Sequence, residues 1–480
     1  IQIVATSLPA IRDALEISPD RMSWIQTAYL IAEVIAIPLT GFFSRALSLR
    51  RLFLIALSLF TLASIGCAFS PDFATLIAFR ILQGLAGGCL IPLVFSAVFL
   101  MFPVSQQGIA TTIGGVLAVL APTLGPTVGG YITQTYSWPW LFLINVAPGI
   151  VAIAIAERLL PRGAGEAGLL KRLDWLGLAA LALGLASLEI ALKEAPERGW
   201  ASALILSLLG VVIITGAGFI ARSLRREMPI ADLGLFRDRN FAIACALSFI
   251  FGMGLFGSVY LMPVFLGLVR DYGPLDIGLV MLVTGVAQLA SAPLAVYFEQ
   301  RIDARLLTAG GFVCFAIGLA WSFGQTATTG FEGMFWPQVV RGMAIMFCLL
   351  PPTRIALGLL ADHQVPDGSA LFNLMRNLGG AIGIALIDTV IWKRAPIHAE
   401  AIGTRLLEQD EATAAFAGID INDIPPVGFI PPETLIEGIR PIVENAGLTA
   451  AINEAWAMLA VFTVFGLGLT VFVRKSIKSN

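Results

Sequence analysis

The chain is short of charge. Only 13% of its 480 residues are Asp, Glu, Lys or Arg, against 57% that are hydrophobic, whereas an ordinary soluble domain is about a quarter charged. The mean hydropathy of +0.86 excludes a string of soluble domains, because apolar side chains outnumber the interior sites that globular cores of this length supply. Lipid must therefore solvate most of the chain. Histidine is almost missing: His363 and His398 both fall in polar connections. The cysteines Cys67, Cys89, Cys245, Cys314 and Cys348 each stand alone in an apolar run without a C-x-x-C spacing, which argues against a disulfide framework and a zinc site. No G-x-x-x-x-G-K-[ST] run is present, so ATP hydrolysis by this chain is not expected. A formal charge of -2 leaves no basic surplus for a nucleic-acid partner. A first methionine is missing too. The first apolar run ends near Ile11, which is enough helix for about half a bilayer core. It reads as a truncated first span, and not as a signal peptide with a basic front and a cleavage site.

What the chain does have is a succession of apolar runs, each about 20 residues long. After the partial run to about residue 11, helices are predicted at 24–43, 52–69, 74–98, 108–132, 138–156, 173–192, 201–221, 241–266, 275–297, 306–325, 332–352, 369–391 and 451–473. With the partial run, this makes an all-α polytopic membrane protein of fourteen spans. The runs are uniformly apolar and do not alternate, which excludes a transmembrane barrel. Eighteen of the 30 Lys and Arg fall in the connections on the side of the chain's start. Nine fall on the other side, four of them in one long loop, and three lie within spans. The basic side is therefore expected to be cytoplasmic, with both termini there. Pro38-Leu39 with Arg50 recurs as Pro293-Leu294 with Arg305, and Arg80-x-x-Gln83-Gly84 recurs as Gln338-x-x-Arg341-Gly342 with Arg and Gln exchanged. These echoes divide the chain into six-helix bundles over 1–156 and 241–480, with an inserted pair and cytoplasmic linkers over 157–240, the arrangement of a transporter built from repeats. The connection 392–450 is acidic, contains Pro425-Pro426 and Pro431-Pro432, and is expected as an extracytoplasmic loop. Its stretch 398–417 reads equally as a surface helix or a solvated spacer.

A charge at the middle of a span costs at least ~2.5 kcal/mol, so each one is a functional candidate. Glu33 sits at the midpoint of its span with Gln26 and Tyr29 on the same face, which makes it a candidate for reversible proton loading. The alternative is a neutral carboxyl that ties helices together. Arg80 shares its face with Gln83, Gly84 and Gly87, small residues that permit close helix approach. Arg341 lies mid-span. Arg376 shares a face with Asn373, Asn377 and Gly380. For each arginine a structural ion pair or carbonyl clamp stands beside a substrate or coupling role. Glu189, Asp388 and Glu454 lie nearer the extracytoplasmic ends, where snorkelling makes charge cheap. The fifth run reads Ala121-Pro122-Thr123-Leu124-Gly125-Pro126-Thr127-Val128-Gly129-Gly130, paired prolines and spaced glycines that predict a kinked, closely packed helix.

That run resembles the helix 5 antiporter motif of the major facilitator superfamily, in the form found in fourteen-helix drug:proton antiporters of the EmrB/QacA type. LIAFRILQG at 76–84 and LFNLMRNLGGAIG at 371–383 resemble that family's helix 4 and helix 13 segments, and the likeness spans the whole chain. The resemblance implies a bacterial inner-membrane exporter of amphipathic compounds, worked by alternating access and driven by the proton motive force with no cofactor. EmrB-type members act with a periplasmic adaptor and an outer-membrane channel, whereas QacA-type members act alone. By resemblance, Arg80 supports proton transfer, Pro122, Gly125, Pro126, Gly129 and Gly130 seal helix 5 against leak, and Glu33 is a coupling or substrate carboxylate. The turn after the second span departs from the family's Gly-x-Leu-Ala-Asp-Arg-x-Gly-Arg-Arg. It begins at Gly41, has Arg45 in place of the aspartate and Ser48 in place of the last glycine, and ends at Arg50 and Arg51. This departure calls the usual charge lock of the inward gate into question. A second reading is a proton-coupled exporter of one anionic metabolite such as a siderophore or fatty acid, towards which three intramembrane arginines lean. A membrane-embedded enzyme would need a nucleophile and base at the membrane face, and neither histidine lies in a predicted span.

Overall fold

A computed structural model of the chain describes residues 2–5, 7–424 and 433–474. Lipid offers a bare backbone no hydrogen bonds, so each apolar run satisfies its own N–H and C=O groups as helix, and no strand occurs among the described residues. The chain opens with the short helices α1 (Gln2–Ala5), α2 (Leu8–Ala14) and α3 (Pro19–Met22). Longer ones follow as α4 (Trp24–Leu47), α5 (Leu49–Ala68), α6 (Phe73–Met101), α7 (Val104–Thr135) and the broken pair α8 (Trp140–Leu143) and α9 (Val146–Leu159). Next come α10 (Trp175–Arg198) and α11 (Ala203–Arg225), then α12 (Arg239–Leu268), α13 (Pro274–Glu299), α14 (Ala304–Trp321) and α15 (Phe331–Leu357). The last are α16 (Val365–Leu407), α17 (Glu411–Ala417) and α18 (Glu433–Thr470). Aspartates start several of them: Asp72 caps α6 by accepting from the N–H of Thr75, and Asp238 caps α12 by accepting from Phe241.

Twelve helices among the described residues are long and apolar enough to cross a bilayer. The other two of the fourteen expected spans fall on α1 and α2, which are short, and on α7. The last is one uninterrupted 32-residue helix, about 48 Å long. It continues without a break through the positions of Pro122 and Pro126, whose side chains lie outside the described residues. Consecutive spans alternate in direction, so the turns 47–49, 101–104, 159–175, 225–239, 299–304 and 357–365 share one end of the molecule. This is the end that gathers most of the arginines, called the basic end below.

One expectation fails clearly. The stretch 392–450 is not a loop, because α16 continues to Leu407 and α18 already begins at Glu433. At 43 residues, α16 is about twice as long as a bilayer core requires, so α16 and α18 project from the end opposite the basic end. Ile402 and Leu406 of α16, Ala414 and Ala417 of α17 and Ala446 of α18 form a small core of their own there. The Ala, Leu, Glu and Arg of 398–407 are strong helix formers, and a partner helix gives their apolar face something to bury against. Of the two readings left open for 398–417, the spacer is excluded. His398 is accordingly a helical residue beside Glu454, 2.9 Å away, and is not in a connection. Pro425-Pro426 and Pro431-Pro432 lie outside the described residues.

Helices α10 and α11 pack on each other, and α10 also touches α4 and α16. The apolar side chains of α11, such as Ile213 and Ile214, face outward, as lipid contact requires. At the basic end Asp174 fastens the pair by accepting from Arg222 Nε at 2.9 Å and Nη2 at 2.6 Å. Hydrogen bonding from Arg222 holds the Asp174 carboxyl below the usual carboxylate range. A depressed folded value means that the pair stabilises the protein above the unfolded value and is lost as pH falls through the folded one. Asp174→Asn should therefore lower the thermal midpoint at pH 7 by the equivalent of about 1 kcal/mol, with Arg222 partly solvated. The two midpoints should converge only below about pH 4, as thermal unfolding across a pH series will read.

Candidate functional site

Helices α4 and α6 meet through glycine. A Cβ on Gly84 would run into the Tyr29 carbonyl and lie 2.9 Å from Ala32 Cβ, so only glycine lets the two backbones approach this closely. That approach places Arg80 inside the bundle, where its Nε donates to the Ile25 carbonyl at 2.9 Å and its Nη1 to Gln83 Oε1 at 2.5 Å. Gln83 in turn donates to Ser64 Oγ at 2.7 Å. The guanidinium lies 4.2 Å above the Tyr29 ring, a cation–π contact made stronger by the absence of water. Of the two structural roles open to Arg80, the structure has the carbonyl clamp and not an ion pair.

Glu33, one turn beyond Tyr29 on α4, is 8% exposed and has no hydrogen bond or ion pair with any described residue. Arg80 is within electrostatic range of it. So is Glu189 of α10, a residue that the sequence reading set aside as tolerated near a helix end. Depth explains the pairing. Glu33 is nine residues from the start of α4 and Glu189 nine from the end of α10, both about 14 Å below the end opposite the basic end. The other two acids set aside with Glu189 are partnered. Asp388 accepts from Tyr260 Oη at 2.6 Å, and Glu454 takes both Nε and Nη2 of Arg394 at 2.8 and 2.7 Å.

The second half repeats this contact residue for residue. A Cβ on Gly342 would meet the Thr284 carbonyl, with Ala287 Cβ at 2.9 Å, so Gly342, Thr284 and Ala287 stand where Gly84, Tyr29 and Ala32 stand. Gln288 stands where Glu33 does and is fully buried. Gln338 occupies the place of Arg80, and Arg341 that of Gln83. The exchange read in the sequence therefore moves the guanidinium one helical turn towards the middle of the bilayer. There Arg341 Nη2 reaches Thr284 Oγ1 at 3.4 Å, and the guanidinium stands 5.1 Å from the Trp456 ring.

A third group lies where the halves face each other. Arg376 donates to Asn373 Oδ1 and stands 5.6 Å from the Phe95 ring of α6. Asn373 Nδ2 donates to the Ser369 carbonyl at 2.8 Å, and Asn377 Nδ2 to the Asn373 carbonyl at 3.1 Å. Ser369 Oγ crosses to the Pro92 carbonyl at 2.7 Å. Helix α7 packs against α13 and α15 of the opposite half, and in it Gly125, Gly129 and Gly130 are buried.

At the basic end Arg45 pairs with Asp367, the third residue of α16, and donates to the Pro229 carbonyl at 3.0 Å. Asp367 packs directly on Gly41. The charge lock questioned on sequence is therefore present with its signs reversed, the cation on α4 and the acid on the other half. Ser48 adopts φ 80°, a backbone conformation favoured by the glycine that the family carries there. Arg50 Nη2 holds the Glu157 carbonyl at 2.6 Å, and Arg51 is exposed. The hydrogen bonds and ion pairs that join the two halves directly among the described residues, Arg45 to Asp367 and Ser369 to Pro92, lie towards this end. No group of three or more potential metal ligands occurs among the described residues. The candidate residues thus form three separate clusters and a gate, spread along the inner faces of two repeated bundles.

The Major Facilitator Superfamily profile matches residues 1–384. The chain belongs to this superfamily. It is 32% identical over its full length to the Colistin resistance protein EmrB of Acinetobacter baumannii, of which it covers 94%. It is 30% identical over 98% of its length to the Multidrug export protein EmrB of Escherichia coli, of which it covers 91%. Among solved structures it resembles the human organic anion transporter MFSD10, with a TM-score of 0.59 and 14% identity, over 96% of this chain and 88% of that one. At that identity the likeness is one of fold.

For a superfamily member the reversed lock makes a direct prediction. Asp367→Arg sets two cations together and should open the basic end, whereas Arg45→Asp combined with Asp367→Arg should close it again. In a background with the native cysteines replaced, Ser369→Cys reports the result. An impermeant thiol reagent added on the basic side should label it readily in the single reversal, and slowly in the parent and the double reversal.

Proposed function

We propose that this chain is a multidrug exporter of the bacterial inner membrane, which takes up protons while it carries small amphipathic compounds outward by alternating access. The export function named for the EmrB relatives supports the substrate class. The excess of Lys and Arg supports a cytoplasmic basic end, with both termini there. On this reading residues 1–156 and 241–480 are the two moving bundles and 157–240 carry the inserted pair. An adaptor and outer-membrane channel would meet the face from which α16 and α18 project.

The observation that carries the proposal is Glu33. A carboxyl buried where α4 packs on α6 and α10, without a hydrogen-bond partner among the described residues, is free to bind and release a proton, with the Arg80 cation and a second carboxyl, Glu189, within its field. With the Arg45–Asp367 gate closed below, that proton exchanges with the outer side. Drug bound between the halves near Phe95 and Arg376 would favour the arrangement in which the gate opens inward. Arg80 and Gln83 hold α4 and α6 in register and set the field at Glu33. Pro122, Gly125, Pro126, Gly129 and Gly130 let α7 slide on the other half without leak. One proton falling through 100 mV supplies ~2.3 kcal/mol, enough for about fiftyfold accumulation of a neutral solute. Export of a specific anionic metabolite is the second reading, supported by Arg341, which pairs with no acid among the described residues.

In a pump-deleted bacterium the chain should confer growth in the presence of several unrelated amphipathic drugs and speed dye efflux. In inside-out vesicles, adding drug should release protons from the lumen. Glu33→Gln should abolish both while leaving the protein in the membrane. Full proton-coupled transport by that variant would remove Glu33 from the mechanism.

A further inference from the structure

The second half contains a buried cation whose charge no acid among the described residues offsets. Arg341 is 3% exposed, and its only hydrogen bond among the described residues is the long one to Thr284, whose oxygen is shared because Thr284 itself donates to Gln338 Oε1 at 3.0 Å. Nε and Nη1 of Arg341 have no partner, and neither has Nε2 of Gln338. No acid forms an ion pair with Arg341 among the described residues. The corresponding cation of the first half is placed otherwise, with the Ile25 carbonyl and Gln83 as acceptors and Glu33 in its field. A buried guanidinium with two of its three nitrogens unpaired is costly for a membrane protein to carry. Unpaired N–H groups this deep call for an acceptor from outside the chain.

The space for one exists. Arg341, Gln338, Thr284 and Ser258 line a small, partly open cavity with Met262 and Met281. Its volume of about 10 Å³ is roughly that of a single water site. Five N–H hydrogens, one on Nε and two each on Nη1 and Nε2, are available to it. We infer that this cavity is a binding site for one monovalent anion, either a free halide or the carboxylate head of an amphipathic molecule whose stem lies along the methionines. A single negative charge balances Arg341. A guanidinium edge suits a carboxylate, which it can grip with two parallel bonds. A doubly charged, strongly hydrated ion such as sulfate is disfavoured, since Arg341 balances only one of its charges and its desolvation costs more. The site goes beyond the export reading, and direct binding tests it without transport, so either can fail alone.

Trp456 supplies the readout because the guanidinium stands over its ring. The purified chain in lipid nanodiscs, with sulfate as the sole buffer anion, is titrated with bromide, a heavy-atom quencher. The signal of Trp456 is taken as the difference between the parent and Trp456→Phe. The site predicts saturable quenching of Trp456, weakened about tenfold or more in Arg341→Gln, the loss of one or more charge-assisted bonds. Gln338→Leu, which keeps the charge, should weaken it less and guards against misfolding of the first variant. Displacement of bromide by decanoate but not by decyltrimethylammonium assigns the site to a carboxylate head group. Displacement by chloride alone assigns it to a free halide. Quenching that rises linearly without saturation, or is equal in the parent and both variants, would overturn the site.

Discussion

In a bilayer a charge must find its compensation inside the protein or leave the chain at a cost of several kcal/mol. That constraint orders this molecule. Most of its basic residues escape to one end, where Arg45, Arg222 and Arg354 find acids in Asp367, Asp174 and Glu299. Among the charges that remain deep are Glu33, Arg80, Arg341 and Arg376, with Glu189 at the depth of Glu33. They are resolved in different ways. Arg80 is held by a carbonyl and a glutamine, Arg376 by Asn373 and the ring of Phe95, and Arg341 only by one long hydrogen bond to Thr284. Glu33 has only fields around it. Two incompletely settled groups, Glu33 and Arg341, lie in different halves, and on the proposed readings they take exchangeable ligands of opposite sign.

The repeat makes the difference between the halves readable. Because Gly84 and Gly342 admit the neighbouring backbone at the same contacts, the frame around each site is shared, and function is written in what decorates it. Glu33 against Gln288 gives the first half a buried carboxyl, the proposed proton site, where the second has an amide. Arg80 against Gln338, with Gln83 against Arg341, moves the second half's cation a turn deeper and strands it. The same economy appears at the gate, where the family's usual acid has become Arg45 and the partner half answers with Asp367. Coulomb attraction is indifferent to which side carries which sign, so the lock survives the exchange.

Much of this was legible in the sequence, because lipid makes hydropathy a direct record of helices and makes each buried charge conspicuous. The predicted spans from 24–43 to 369–391 fall on the helices found, and the exchanged Arg and Gln of the repeat prove to be true counterparts. What escaped depended on contacts between residues remote in sequence. Asp367 gives no local sign of being the partner of Arg45. Glu189 looked like a charge near a helix end, and only counting inward from the ends of α4 and α10 reveals that it shares the depth of Glu33. The helical hairpin formed by α16 and α18 was hidden because acid and proline resemble a loop until the facing helix supplies a surface for Ile402 and Leu406 to bury against.

The central claim is that drug and proton compete through Glu33, and binding linkage tests it most directly, since coupling between two ligands must appear in the affinity of each. Calorimetry of drug binding to the solubilised protein, repeated at one pH in two buffers of different ionisation enthalpy, counts the protons released. Near neutral pH the account predicts release of up to about one proton per drug, falling to none in Glu33→Gln. No release by the parent protein, or an unchanged count in the variant, would contradict it.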